Sequence, residues 1–144
     1  MAKPDGQTGG DAAYVSDWIE VPQDLIDQFA DLTEDWNAIH VDEAAARAAG
    51  LPGTIAHGFL VLSLLAPLAS DSGLPVADGN LNYGFDSVRF ISPVPAGSRI
   101  RATFRPVGEE VTASGTRRTF DVLVECEGAA RPAIAARWIL FHPG

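Results

Sequence analysis

Two periodicities divide this chain. Up to about residue 70 its apolar positions recur at helical spacing, and from about Leu81 they alternate every second residue. Leu25, Ile26, Phe29 and Leu32 predict an amphipathic helix that runs to about Thr33. Pro22 suits its first position, where no N–H is needed, and Ser16–Val21 predicts a short strand before it. Asp42 is the expected N-cap of a short helix over Glu43–Ala49, stopped at Gly50 with Pro52 beyond. Gly58 to Ser70 is apolar on nearly every side, which predicts a helix buried all round, with Pro67 weakening or ending its last turn.

The second half reads as antiparallel strands. Ile100, Ala102 and Phe104 alternate with Arg99, Arg101, Thr103 and Arg105, and Phe120, Val122, Val124 and Cys126 alternate with Asp121, Leu123, Glu125 and Glu127. Gly108 to Gly115 is the expected turn between these two strands. Placing Arg99 opposite Glu127 sets Arg101 against Glu125 and Arg105 against Asp121, so every charged pair on this face joins opposite charges. Further strands are expected over Asn82–Ile91, ending at Ser92-Pro93-Val94-Pro95, and over Ile134–Phe141. Helices first and long strands afterwards make the class α+β, with a curled antiparallel sheet wrapping one buried central helix. That is a single hot-dog domain over residues 14–144, preceded by a polar, Gly-rich and flexible tail over residues 1–13.

Composition narrows the partners. The net charge of −9 leaves no basic stripe for nucleic acid, although nine of the ten basic residues are arginine and a local anion site stays open. A single cysteine, Cys126, excludes an internal disulfide framework and falls on a core-facing strand position. No apolar run reaches the length of a membrane span, and the start carries no secretory pattern, so the expectation is a cytoplasmic protein with no membrane partner.

The polar chemistry is concentrated in Asp35-Trp36-Asn37-Ala38-Ile39-His40 and in His57-Gly58 at the start of the apolar helix. A carboxylate and an imidazole close together can hold and deprotonate a water. A backbone N–H at a helix start can stabilise an oxyanion. His57 reads as a residue that orders the loop before the helix, and Ser63 as a hydroxyl bonded back to a carbonyl one turn earlier. Asp35, His40, Asp42 and His57 lack the spacing of a recognised metal site, so no metal is expected.

Asp35-x-Asn37-x-x-His40, followed by Ile55-Ala56-His57-Gly58-Phe59-Leu60, resembles the MaoC-like dehydratases, which include the R-specific enoyl-CoA hydratases. Asn82-Tyr83-Gly84, Val88-Arg89-Phe90-Ile91-Ser92-Pro93-Val94 and Gly97-Ser98 extend the likeness, most similar to the nodulation-protein-N-like branch. The resemblance implies R-specific hydration of trans-2-enoyl thioesters, or the reverse dehydration, without a cofactor. Asp35 and His40 would flank the catalytic water, Asn37 would support the site, and the Gly58 N–H would take the thioester oxygen. Arg89 could reach the anionic part of a coenzyme A. The substrate would be an acyl-CoA, or an acyl-carrier-protein thioester, and the protein a homodimer. Glu34 departs from the pattern, which commonly has glycine before the catalytic Asp. Two alternatives remain at this point: a hot-dog acyl-CoA thioesterase, disfavoured because Phe59–Ser70 carries no carboxylate, and a non-catalytic acyl-thioester-binding module.

Overall fold

A computed structural model describes residues 12–76 and 78–144. The tail expected over residues 1–13 lies almost wholly outside the described residues. Two short strands, β1 (Tyr14–Val15) and β2 (Ile19–Val21), precede α1 (Gln23–Thr33). Three short helices follow, α2 (Ala38–Val41), α3 (Glu43–Ala48) and α4 (Gly58–Ser63), and then α5 (Leu65–Ser72). Four long strands complete the chain: β3 (Leu81–Phe90), β4 (Ser98–Thr112), β5 (Gly115–Cys126) and β6 (Ile134–Pro143). They form one antiparallel sheet in the order β1-β4-β5-β6-β3, with β2 also on β4.

The sheet's inner face comes from the alternation. Ile100, Ala102, Phe104, Val122 and Val124 are buried, and they enclose Leu60, Val61, Leu65 and Leu68 of the central helices. Each of the larger of these side chains contributes about 1.5–3 kcal/mol on leaving water. Cys126 is buried as well. The outer face carries the charges in the expected register, with Arg101 opposite Glu125 and Arg105 opposite Asp121. Arg99 holds Glu127, and Arg101 holds Glu125 at 2.8 Å. Asp121, however, gives both oxygens to Arg137 on β6, at 2.8 and 3.2 Å, while Arg105 acts on it through its charge. The hydrogen bond from Arg137 holds the Asp121 carboxyl below its ordinary range, and the hydrogen bond from Arg99 does the same for Glu127.

Several expectations need correction. The first strand is split, because Ser16 Oγ accepts from Ala102 N–H at 3.0 Å and Asp17 N–H turns to Asp71. Pro22 is the N-cap of α1 rather than its first residue. Ile26 and Ala30 are the buried residues of α1, whereas Leu32 near its end is 84% exposed. The β4–β5 hairpin does not turn at Gly108: a bulge between Pro106 and Gly108 resets the alternation, and pairing continues through Glu109↔Arg118 to Thr112↔Gly115.

The central helix is two pieces. Pro67 has no N–H for the Ser63 carbonyl four residues back and its ring crowds that oxygen, so the helix breaks at Leu64 rather than in its last turn. Nor is it buried all round, since Phe59, Ser63, Ala66, Pro67 and Ser70 leave one face exposed. Ser63 Oγ does bond back to the Phe59 carbonyl, at 2.7 Å.

Candidate active site

Three elements deliver the site. Helix α1 ends because Glu34 adopts a left-handed conformation, φ +57° and ψ +28°, with its N–H on the Ala30 carbonyl. That turn releases Asp35 from the helix. A single helical turn, α2, then carries His40. Sequence patterning gives no sign of this turn, because four residues are too few to show a period. Asn37 caps it: its Oδ1 accepts from Ile39 N–H at 3.4 Å, while Asn37 N–H reaches Asp35 Oδ1 at 3.3 Å.

Helix α4 begins at Gly58, with His57 as its N-cap. The segment before it is tied to α2 by Ile55 N–H to the Ile39 carbonyl at 3.1 Å and by His40 Nδ1 to the Ile55 carbonyl at 2.8 Å. Gln23 completes the frame. Its Nε2 donates to the His40 carbonyl at 2.8 Å, and its Oε1 accepts from Thr54 Oγ1 at 2.6 Å. Nothing in the sequence marks Gln23 or the Ile55 carbonyl, since both act through contacts between distant segments.

His40 and His57 stack, with ring centroids 3.9 Å apart and planes at 27°. A carboxylate oxygen of Asp35 and one ring nitrogen of each histidine lie within 4.8 Å of one another. His40 and His57 are buried and Asp35 is exposed. A carbonyl oxygen only accepts, so the bond to Ile55 fixes the proton of neutral His40 on Nδ1 and leaves Nε2 as its basic atom. His57 Nε2 faces the Asp35 carbonyl at 3.0 Å and must likewise carry its proton. Two ring nitrogens are thus committed to carbonyls, and the near-parallel rings hold their lone pairs in separate planes. That geometry suits proton transfer better than a shared metal ion.

A cavity of about 250 Å³ opens beside this group, with His40, Gly58, Val61, Phe90, Val94 and Ile134 among its walls. It is largely apolar with few polar groups, as a small-molecule site is expected to be. Gly58 is the first residue of α4, so its N–H has no carbonyl within the helix to receive it. Asp35 stands beside the cavity rather than in its wall. Arg89 is not brought to the site: it is exposed on β3, its guanidinium is on the Val88 carbonyl, and it does not line the cavity.

The chain belongs to the MaoC-like domain family, whose model matches residues 6–126. It is 43% identical over 136 residues to 3-hydroxyacyl-thioester dehydratase Z of Mycobacterium tuberculosis, covering 91% of this chain and 88% of that protein. It is 48% identical over 131 residues to nodulation protein N of Rhizobium leguminosarum bv. viciae, covering 86% and 80%. Among solved structures, the (R)-hydratase of A. caviae involved in PHA biosynthesis shares the fold with a TM-score of 0.78 at 23% identity, over 96% of this chain and all of that one. The hot-dog fold is therefore established, and the family places the chain among the hydro-lyases. No helix among the described residues is long and apolar enough to cross a membrane.

Proposed function

We propose that this protein adds water to trans-2-enoyl-CoA thioesters to give (R)-3-hydroxyacyl-CoA, or runs the reverse dehydration, with Asp35 and His40 as its acid/base pair. The observation that carries this reading is His40, its Nδ1 committed to a carbonyl and its Nε2 left basic, in the wall of an apolar cavity that also includes Gly58, with the Asp35 carboxylate alongside. The acyl group enters the cavity and its thioester oxygen meets the Gly58 N–H. Asp35 and His40 hold a water between them. Its oxygen bonds to the β-carbon as the pair removes its proton. The double-bond electrons move towards the thioester as an enolate, and a proton is returned to the α-carbon. One oxyanion donor supplies about 3–4 kcal/mol, and positioned acid/base groups contribute about 10²–10⁴-fold. The thioester is itself the electron sink, so the reading requires no cofactor. Asn37 supports the pair by capping the turn that carries His40.

Relatives with dehydratase names that act on 3-hydroxyacyl thioesters support the reaction class, and the R configuration is carried over from the family. The net charge of −9 disfavours an acidic carrier protein and favours CoA as the acyl carrier. The exposed face of α4–α5, bearing Phe59, lies open, and Phe85 and Phe90 are partly exposed on β3, whose second edge has no strand among the described residues. A second copy covering this face would form the homodimer, hiding both the apolar surface and the strand edge. Light scattering should then give twice the 15.2 kDa of one chain, and a stable monomer at micromolar concentration would remove this part.

The test of the reaction is incubation with a panel of enoyl-CoAs of increasing chain length, following conjugated absorbance and free thiol together. Loss of absorbance without thiol supports hydration. Thiol release would indicate a thioesterase, and binding without turnover an acyl-binding module.

A further inference from the structure

We propose that His57 is a positioning residue that sets both His40 and Asp35 from a fixed, singly protonated ring; this rests on the Asp35/His40 reading above. Asp35 lies just beyond α1, His40 is on α2 and Gly58 opens α4, and no single element holds all three. His57 touches each of them. Its Nε2–H donates to the Asp35 carbonyl at 3.0 Å. Its ring face lies on the His40 ring at 3.9 Å. Its own carbonyl accepts from Val61 N–H at 3.1 Å, which starts α4 directly after the Gly58 peptide. Phe29 of α1 closes on the same ring at a centroid distance of 4.9 Å, leaving His57 only 2% exposed.

The ring is built to hold rather than to exchange a proton. Nε2 is committed to a carbonyl, which fixes the tautomer. Nδ1 is buried with no hydrogen-bond partner among the described residues, so a second proton would be a buried donor without an acceptor. His57 is also absent from the walls of the catalytic cavity. The titratable groups facing it are His40 and Asp35, the two it positions. A residue that merely filled space could be any ring of this size. A residue that sets the site needs both the flat face, which fixes the plane of His40, and the Nε2–H, which fixes the loop of Asp35. Only histidine supplies both here: phenylalanine keeps the face, and glutamine keeps a donor.

The experiment compares wild-type protein with His57→Phe and His57→Gln by two independent readouts. In ¹⁵N-detected NMR the wild type should show His57 protonated on Nε2 and His40 on Nδ1. The His40 signals should move towards averaged tautomers in His57→Gln, which loses the stacked face, and stay close to wild type in His57→Phe, which keeps it. In steady-state hydration of crotonyl-CoA, each variant should lose roughly 10–100-fold in kcat with KM changed by less than about threefold, while circular dichroism stays native. His57→Phe with wild-type kcat, or His57→Gln with unchanged His40 signals, would overturn the proposal. So would wild-type His57 carrying its proton on Nδ1, or on both nitrogens, and this reading needs no folded variant. If the wild type hydrated no enoyl thioester while the tautomers and their loss appeared as described, the reaction assigned above would fail and the positioning role would stand.

Discussion

The Phe90 ring occupies the space that a Cβ on residue 58 would need, with its nearest carbons 2.9 Å from that position. Gly58 is therefore glycine because strand β3 presses a side chain onto the first turn of α4, and not because its backbone angles demand it. The same contact makes Phe90 a wall of the cavity beside the Gly58 N–H. Phe90 is half-exposed and can swing away. Alanine gains roughly 0.5–1 kcal/mol over glycine inside a helix, which offsets part of the push. Gly58→Ala should thus leave the urea midpoint nearly unchanged while lowering kcat at least about tenfold, as the displaced ring reshapes the cavity. The double variant Gly58→Ala/Phe90→Ala should recover part of that loss. Wild-type turnover in Gly58→Ala would show that the contact has no bearing on the site.

Glu34 holds a left-handed conformation at the end of α1, which costs a non-glycine residue roughly 1–2 kcal/mol. Its side chain is exposed and makes no ion pair among the described residues, so little is lost on removing it. Glu34→Gly should raise stability by about 1 kcal/mol in equilibrium unfolding, with the site intact. A destabilised variant would mean that the carboxylate itself secures the turn. The departure from the family's glycine is thus a matter of backbone strain just before Asp35.

The Asp121–Arg137 pair predicts a pH dependence. The Asp121 carboxyl is held below its ordinary range, first by the hydrogen bond from Arg137, so the folded state binds that proton less readily than the unfolded chain. Its contribution is present above the ordinary carboxylate range and is lost as pH falls through it. The difference in urea midpoint between wild type and Asp121→Asn should therefore be largest near pH 7 and shrink towards pH 3. Both groups are exposed, so the difference should be small and should fall further in high salt. A gap that widened on acidification would contradict the assignment.

Asp35→Asn and His40→Ala should each lower kcat by about 10²-fold or more with the fold retained. The double variant should lose far less than the product of the two, because both groups act on one water in the proposed mechanism. Full activity in either single variant would remove the pair, and unfolding of both would make them structural.

Much of this was legible in the chain. Alternation alone set the inner faces of β4 and β5, and the charges at 99, 101, 105, 121, 125 and 127 set their register, because a one-residue slip would put charged positions opposite apolar ones. The stop at Gly50 and the cap at Asp42 followed from residue chemistry. What was not legible depends on tertiary contact or on one residue's local geometry. The bulge at Val107 hides in an unbroken sequence, so alternation alone places the turn too early. Apolarity on every side of residues 58–70 marked surface to be covered, but not that one face of α4–α5 stays exposed in the folded chain. In the site, Asp35, His40 and Gly58 were visible as residue types at telling places. The stacking of His40 on His57 and the frame made by Gln23 were not, since they join segments about 15 to 35 residues apart.

The most direct test of the central claim is the product formed from crotonyl-CoA. In the proposed mechanism Asp35 and His40 come from one short stretch and the Gly58 N–H would fix the carbonyl end, so water and proton would reach one face of the double bond. The conjugated absorbance should fall with no free thiol, and chiral analysis should find (R)-3-hydroxybutyryl-CoA, with the S form absent. Release of thiol, or an S product, would contradict the account.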